Sequence, residues 1–259
     1  RHIGDVVTAG KHGKAAPVLT LSDLGRTVKF TFTPDKGCHV KDVKVNGKSI
    51  GAVESYTCSS LKIYDRITVE FTDGTLPFTD VRETDWFYDD VVFAYENGLF
   101  SGTTATTFSP YAPMTRAMLV AVLRRLAGSP SVSGKMPFTD VASGTWYHDA
   151  VLWASQNGIV AGMSETTFAP QENITREQIV AIFSRYTAKF SPDKTEAAVE
   201  LTGFADSASV SDWALDDMKW AVAYKVINGS PSAGKLYLNP QGNATRAEVA
   251  TILMQYCAL

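Results

Sequence analysis

From Thr27 onward, hydrophobic and polar residues alternate with a period of two. Val28, Phe30 and Phe32 stand against Lys29, Thr31 and Thr33, the pattern of a half-buried strand. Pro34-Asp-Lys-Gly37 reads as a turn and Val40, Val43 and Val45 as a second strand. Asn46-Gly47 is a hairpin signal, since both residues tolerate the positive φ of a tight two-residue turn. Tyr56–Leu61 and Arg66–Phe71 supply two more strands, and residues 1–26 carry Gly, Lys and Ser around one apolar patch, Val18-Leu-Thr-Leu21. Asp73-Gly74 ends the region. The prediction is a small antiparallel β module over residues 1–75.

At Phe78 the period lengthens. Within 138–186, Trp146, Ala150, Val151, Ala154 and Ser155 recur at helical spacing and give one apolar or small face. Asn157-Gly158 has the form of a left-handed helix C-cap, Gly162 opens a tight loop, and Phe168-Ala-Pro170 tucks an aromatic beneath it. Thr175 caps a second helix with an apolar face of Ile179, Val180, Ile182, Phe183 and Tyr186.

This helix–loop–helix pattern occurs three times. Phe138, Asp140, Trp146, Asp149, Gly158, Gly162, Phe168, Pro170, Thr175 and Arg176 have gapless counterparts in Phe78, Asp80, Trp86, Asp89, Gly98, Gly102, Phe108, Pro110, Thr115 and Arg116. The third copy has Phe204, Asp206, Trp213, Asp216, Gly229, Pro240, Thr245 and Arg246, with small insertions, the largest within Ser230–Lys235. The copies span about 76–128, 136–190 and 202–259, separated by Gly128–Gly134 and the polar stretch Lys189–Gly203. Two short helices cannot bury two apolar faces alone, whereas three such units packed around an axis can.

Composition narrows the function. A net charge of −3 with 20% charged residues gives no general attraction to nucleic acid or anionic membrane. The longest apolar run is far short of a membrane span, and no signal peptide heads the chain, which starts at Arg1 and reads as a fragment or processed product. Cys38, Cys58 and Cys257 lack metal-ligand spacing and the 4 histidines are scattered, so no metal or cofactor is expected. Cys38 and Cys58 sit at strand edges, where a disulfide would suit an extracellular protein; two small buried hydrophobes are the alternative. Cys257 reads as a free thiol.

The Thr-Arg pairs carry the chemical signal. Thr175-Arg-Glu-Gln178 and Thr245-Arg-Ala-Glu248 fit the capping box, while the first copy has Met118 at that position. Capping explains Thr, Gln and Glu but not Arg116, Arg176 and Arg246, because a cation in a first helical turn opposes the dipole. Free helix N–H groups beside a guanidinium would make an anion site; salt bridges between repeats are the alternative. Trp86, Trp146 and Trp213 open the first helices and serve either packing or a groove wall against a sugar face. Asp89, Asp149 and Asp216 are either dipole-favoured first-turn acids or acceptors for sugar hydroxyls. Asp80, Asp140 and Asp206 read as turn or capping devices.

Phe-Thr-Asp-Val, Trp-Tyr-x-Asp-Ala-Val, Gly-Ile-Val-x-Gly, Phe-x-Pro and Ile-Thr-Arg-Glu together resemble the S-layer homology (SLH) domain, in three tandem copies over about 77–257. The resemblance implies an α+β multidomain chain, with the β module followed by a mainly α pseudo-threefold SLH trimer around a central three-helix bundle. It also implies non-covalent anchoring of a bacterial surface protein to secondary cell-wall polysaccharide, in many members through a pyruvate-ketal sugar whose carboxylate is the anion the arginines require. The family's groove residues then fall on the motif arginines, the three tryptophans and the acids above. The expected location is extracellular, at the cell wall or S-layer, as a monomer or weak self-associate. Thr33-Pro-Asp-Lys-Gly37, Val43-Lys-Val-Asn-Gly47 and Gly51-Ala-Val-Glu-Ser-Tyr56 resemble short β repeat modules of Gram-positive surface proteins, which act mostly as spacers.

The third copy departs from the pattern at Lys225 and Leu238 and in its loop insertion. Two rivals remain: a self-assembling lattice protein, and the non-catalytic anchor of a larger surface glycoside hydrolase. Catalysis within this chain is not expected. Asp89-Asp90 and Asp216-Asp217 point to different helix faces, a poor fit to carboxylates straddling a cleft.

Overall fold

The computed structural model describes residues 6–36, 38–196 and 198–259. Gly37, the end of the expected first turn, and Ala197, within the second linker, lie outside the described residues. The protein is mixed α+β, with six α-helices and sheets of four, three and two strands among the described residues. It divides into two compact units: the described residues up to Ser109 together with Leu253–Leu259, and Pro110–Ile252.

In the first unit, β1 (Val7–Ala9), β7 (Ile67–Thr72), β4 (His39–Val45) and β5 (Lys48–Ser49) form one sheet in that order. β2 (Gly13–Ala16), β3 (Val28–Pro34) and β6 (Ser55–Cys58) form the other. The alternation on β3 is as the sequence requires, with Val28, Phe30 and Phe32 buried and Lys29, Thr31 and Thr33 exposed. They share a core with Leu19, Val43, Leu61, Ile67, Val69 and Phe71. The uneven spacing of Val40, Val43 and Val45 has a cause: the β4–β7 register shifts between Val40 and Asp42, a bulge. Asn46 and Gly47 make the hairpin turn at φ 51° and 84°.

The antiparallel expectation needs correction. β1 pairs with β7 in parallel, Val7 opposite Ile67 and Ala9 opposite Val69. The long chain between them supplies the crossover that parallel strands need. Cys38, Cys58 and Cys257 are all free thiols, so the bridge between Cys38 and Cys58 is not formed.

The helices are α1 (Tyr88–Glu96), α2 (Arg116–Leu126), α3 (His148–Gln156), α4 (Arg176–Phe190), α5 (Leu215–Ala223) and α6 (Arg246–Cys257). Trp86, Trp146 and Trp213 precede α1, α3 and α5 rather than joining their apolar faces. The buried tryptophans are Trp153 and Trp220, inside α3 and α5. Gly98 and Gly158 follow α1 and α3 at φ 68° and 69°, and Lys225 takes the same left-handed position after α5 at φ 58°. A lysine there is strained, yet the chain turns as in the other copies. Two points of the second linker are held: Trp220 Nε1 donates to the Lys194 carbonyl at 2.8 Å and Leu201 is buried.

Candidate functional site

Thr115, Thr175 and Thr245 start α2, α4 and α6. The Thr115 and Thr175 hydroxyls accept from the N–H of Met118 and Gln178 at 3.3 Å. Gln178 and Glu248 reach back to the Thr175 and Thr245 N–H at 3.3 and 2.7 Å, closing both capping boxes. Met118 closes no such box, its thioether being only a weak acceptor.

These cap segments bond to one another in a closed ring. The Met114 N–H donates to Ala244 O, Ala244 N–H to Ile174 O, and Ile174 N–H to Met114 O, at 2.8, 3.1 and 2.9 Å. The next two donors of each helix are also taken. Arg116 and Ala117 donate to Glu172 O and Pro170 O, Arg176 and Glu177 to Gly242 O and Pro240 O, and Arg246 and Ala247 to Ala112 O and Pro110 O. This corrects the idea of free helix N–H groups: neighbouring loops satisfy them, so an anion must find its donors elsewhere.

The Phe-x-Pro corner is built by the first aspartate of each repeat. Asp80 accepts from the N–H of Phe108 and Ser109 at 2.8 and 2.7 Å, Asp140 from Phe168 and Ala169 at 2.9 and 2.7 Å, and Asp206 from Leu238 and Asn239 at 2.8 and 2.7 Å. Ser109, Ala169 and Asn239 all have left-handed φ, at 59°, 58° and 51°, and the two charge-assisted bonds hold that conformation. Phe108, Phe168 and Leu238 are buried at the corner, so the leucine of the third copy fills the same place. The third-copy insertion folds as a hairpin, β8 (Ser230–Ser232) and β9 (Lys235–Tyr237), turning at Ala233-Gly234.

The three arginines are buried, at 6%, 7% and 6% exposure for Arg116, Arg176 and Arg246. Arg116 and Arg176 leave their helices for a neighbouring repeat. Arg116 Nε donates to Phe168 O at 2.9 Å and Nη2 to Ala161 O at 3.2 Å, while the guanidinium lies 4.7 Å from the Phe168 ring centroid. Arg176 Nε donates to Leu238 O at 2.8 Å and Nη1 to Glu248 Oε1 at 3.3 Å. Burial lowers the Arg116 pKa from its ordinary value, against the nearby Asp140; it does the same at Arg176, against Glu248 and Asp206. Inter-repeat bonding therefore explains why arginine sits at an unfavourable helix position.

Trp86, Trp146 and Trp213 are 63%, 60% and 56% exposed, which rules out core packing for them. Asp89, Asp149 and Asp216 are exposed first-turn acids; Asp89 lies 3.4 Å from His39 and Asp149 3.0 Å from His148.

One groove within the second unit joins three repeats. It encloses about 340 Å³ and is lined by Arg116, the loop Val160–Met163, Gln178, Ala181, Ile182 and Arg185 of α4, and Trp213. The N–H groups of Ala161 and Gly162 donate to no group among the described residues. A methyl on Gly162 would stand 2.6 Å from the Phe138 ring and 2.7 Å from Thr167 O, so only glycine fits this loop. The groove thus offers two cations, free backbone donors and an exposed indole. Arg185 escaped the sequence reading, although Gln178, Ala181, Ile182 and Arg185 fall at i, i+3, i+4 and i+7, one stripe of α4. A second, smaller groove of about 260 Å³ is lined by Arg176, Asp206, Ser230, Ser232, Tyr237, Asn239 and Glu248.

Comparison with known proteins agrees with this geometry. The S-layer homology domain profile matches residues 77–117, 137–180 and 203–250. An endoglucanase of Bacillus sp. strain KSM-635 is 33% identical over 186 residues, covering 72% of this chain and 19% of that protein. The surface-layer 125 kDa protein of Lysinibacillus sphaericus is 32% identical over 155 residues, covering 60% and 13%. A cellulosome-anchoring protein of Acetivibrio thermocellus is 26% identical over 157 residues, covering 59% and 34%. The chain thus spans between about an eighth and a third of the length of these relatives.

Proposed function

The chain belongs to the S-layer homology family, and on that premise we propose that it anchors a bacterial surface protein non-covalently by holding anionic cell-wall polysaccharide in grooves between its repeats. It is a cell-wall or cell-surface protein, and no helix among the described residues is long and apolar enough to cross a membrane. S-layer homology domains are non-catalytic anchoring modules, and the endoglucanase matches over only 19% of its length.

In this reading α2, α4 and the first turns of α6 form a central three-helix bundle on a pseudo-threefold axis. The closed ring of backbone bonds at Met114, Ile174 and Ala244 supports it. The functional divisions are the β module to residue 75 and three repeats at 76–128, 136–190 and 202–259, with the β module as a spacer.

The observation that carries the proposal is the groove of Arg116, Arg185 and Trp213. Arg116 is desolvated, and although Asp140 is nearby no carboxylate is hydrogen-bonded to it among the described residues, so its guanidinium can pair directly with a bound anion. A pyruvate ketal places one carboxylate on a sugar, matching a guanidinium for the charge and an indole for the ring face. Arg246, Trp86, Trp146 and the acids Asp89, Asp149 and Asp216 are the corresponding candidates elsewhere in the repeats. Co-sedimentation with purified cell-wall sacculi tests the proposal. The chain should pellet with intact sacculi and stay in solution with sacculi stripped of their polysaccharide; equal pelleting with both would overturn it. The enzyme relative favours a second reading, in which the chain is the anchoring portion of a larger surface hydrolase.

A further inference from the structure

We propose that Glu248 is a built-in counter-ion that keeps the Arg176 groove from accepting an anionic glycan, so that the residue three places into the neighbouring helix decides which groove reads charge. The inference rests on the anionic-glycan reading above and adds which site carries it.

Arg116 and Arg176 are matched in almost every respect. Both open a helix and are buried to 6% and 7% exposure. Both donate from Nε to the corner carbonyl of the next repeat, Phe168 O at 2.9 Å and Leu238 O at 2.8 Å. Each lies near the corner aspartate of that repeat, Asp140 for one and Asp206 for the other. They differ in what the following helix presents. Beside Arg116 it presents Gln178, whose Oε1 is spent on the Thr175 N–H and which brings no charge. Beside Arg176 it presents Glu248, which divides its two oxygens: Oε2 closes its own cap at Thr245 N–H, 2.7 Å away, and Oε1 accepts from Arg176 Nη1 at 3.3 Å.

The groove linings follow this difference. Arg116 and Arg185 line the first groove, with no carboxylate among its lining residues. Asp206 and Glu248 line the second beside Arg176. An anion entering the first groove meets a poorly solvated guanidinium that is bonded, among the described residues, only to carbonyls, in a lining without a carboxylate. In the second it meets one already paired, and must either displace Glu248 or sit against two carboxylates, where like-charge repulsion opposes it. Glutamine and glutamate both complete the capping box within this same chain. Exchanging one for the other therefore alters the groove charge while leaving the helix start intact.

The test is calorimetric titration of the 259-residue chain with a methyl hexoside carrying a 4,6-linked pyruvate ketal, and with its uncharged methyl ester. Glu248→Gln should add one binding site for the ketal. Gln178→Glu should weaken the existing site at least tenfold, and the double exchange should restore the wild-type number. Glu248→Met places at this position the residue that the first repeat has at Met118, and should also add a site even if the glutamine variant folds poorly. The methyl ester should not distinguish the variants. If the wild type binds the ketal and none of the single variants changes site number or affinity, the counter-ion role is overturned while wall binding stands. A wild type that takes up no ketal overturns the anionic-glycan reading and this inference with it.

Discussion

Replacing Arg116 with alanine separates the two tasks this residue performs. The side chain donates to Phe168 O at 2.9 Å and Ala161 O at 3.2 Å, and stacks 4.7 Å from the Phe168 ring centroid. Each hydrogen bond from a charged donor contributes about 1.5–3 kcal/mol, and the ring contact about 0.5–1 kcal/mol. Releasing a buried guanidinium from its desolvation cost offsets part of this. The expected net loss is about 2–4 kcal/mol, since the Phe168 carbonyl is left buried without its donor. For a chain of this size that lowers the melting temperature by about 5–15 °C. Differential scanning calorimetry on Arg116→Ala reads the shift, and Trp213→Ala is the comparison. Trp213 is 56% exposed, so its loss should cost the fold under about 0.5 kcal/mol while still weakening glycan binding. If Arg116→Ala melts with the wild type, the inter-repeat tie is not structural and the account of why arginine stands at a helix start is wrong.

Three further outcomes are expected. Gly162→Ala must displace the loop from Phe138 and Thr167, so it should lower the melting temperature and abolish binding in the Arg116 groove; normal binding would show that the loop has slack. Asp42 is buried beside the Ser49 hydroxyl, and desolvation raises its pKa above the ordinary 3.8. A raised native pKa means its contribution is complete below the unfolded value and declines as pH rises through the native one. Urea unfolding should therefore show Asp42→Asn gaining on the wild type as pH increases across that window, and a constant difference would contradict the assignment. Burial pushes the Cys257 thiol up to about 12 and Cys58 is also buried, so at pH 8 a thiol reagent should label Cys38 first in the native protein and all three cysteines after unfolding.

Much of the architecture was legible because its signals are local. The period-two run at Val28–Phe32, the Asn46-Gly47 turn and the Thr caps each depend on a few neighbouring residues. β1 and β2 were missed because Val7–Ala9 and Gly13–Ala16 are short and carry little alternation, and the parallel pairing with β7 is a long-range event. The tryptophans were misplaced because Trp146 and Ala150 share helical spacing although the helix starts only at His148. The function of the arginines was half legible. Their opposition to the helix dipole pointed outside their own helices, but only the fold reveals that backbone carbonyls of the next repeat receive Arg116, and a carboxylate Arg176. The supposedly free helix donors fail for the same reason, since their partners lie about 53–137 residues away along the chain. Arg185 became visible as a groove residue only once its stripe on α4 faced the loop Val160–Met163 and Trp213.

The most direct measurement of the central claim is the affinity of the intact chain for one purified cell-wall polysaccharide before and after its pyruvate ketals are removed by mild acid, with the sugar backbone left whole. A carboxylate held by the buried guanidinium contributes about 1.5–3 kcal/mol, so removal should weaken binding by more than tenfold. Arg116→Ala should bind the native and treated polymers alike. Equal affinity of the wild-type chain for both polymers would contradict anchoring through an anionic sugar.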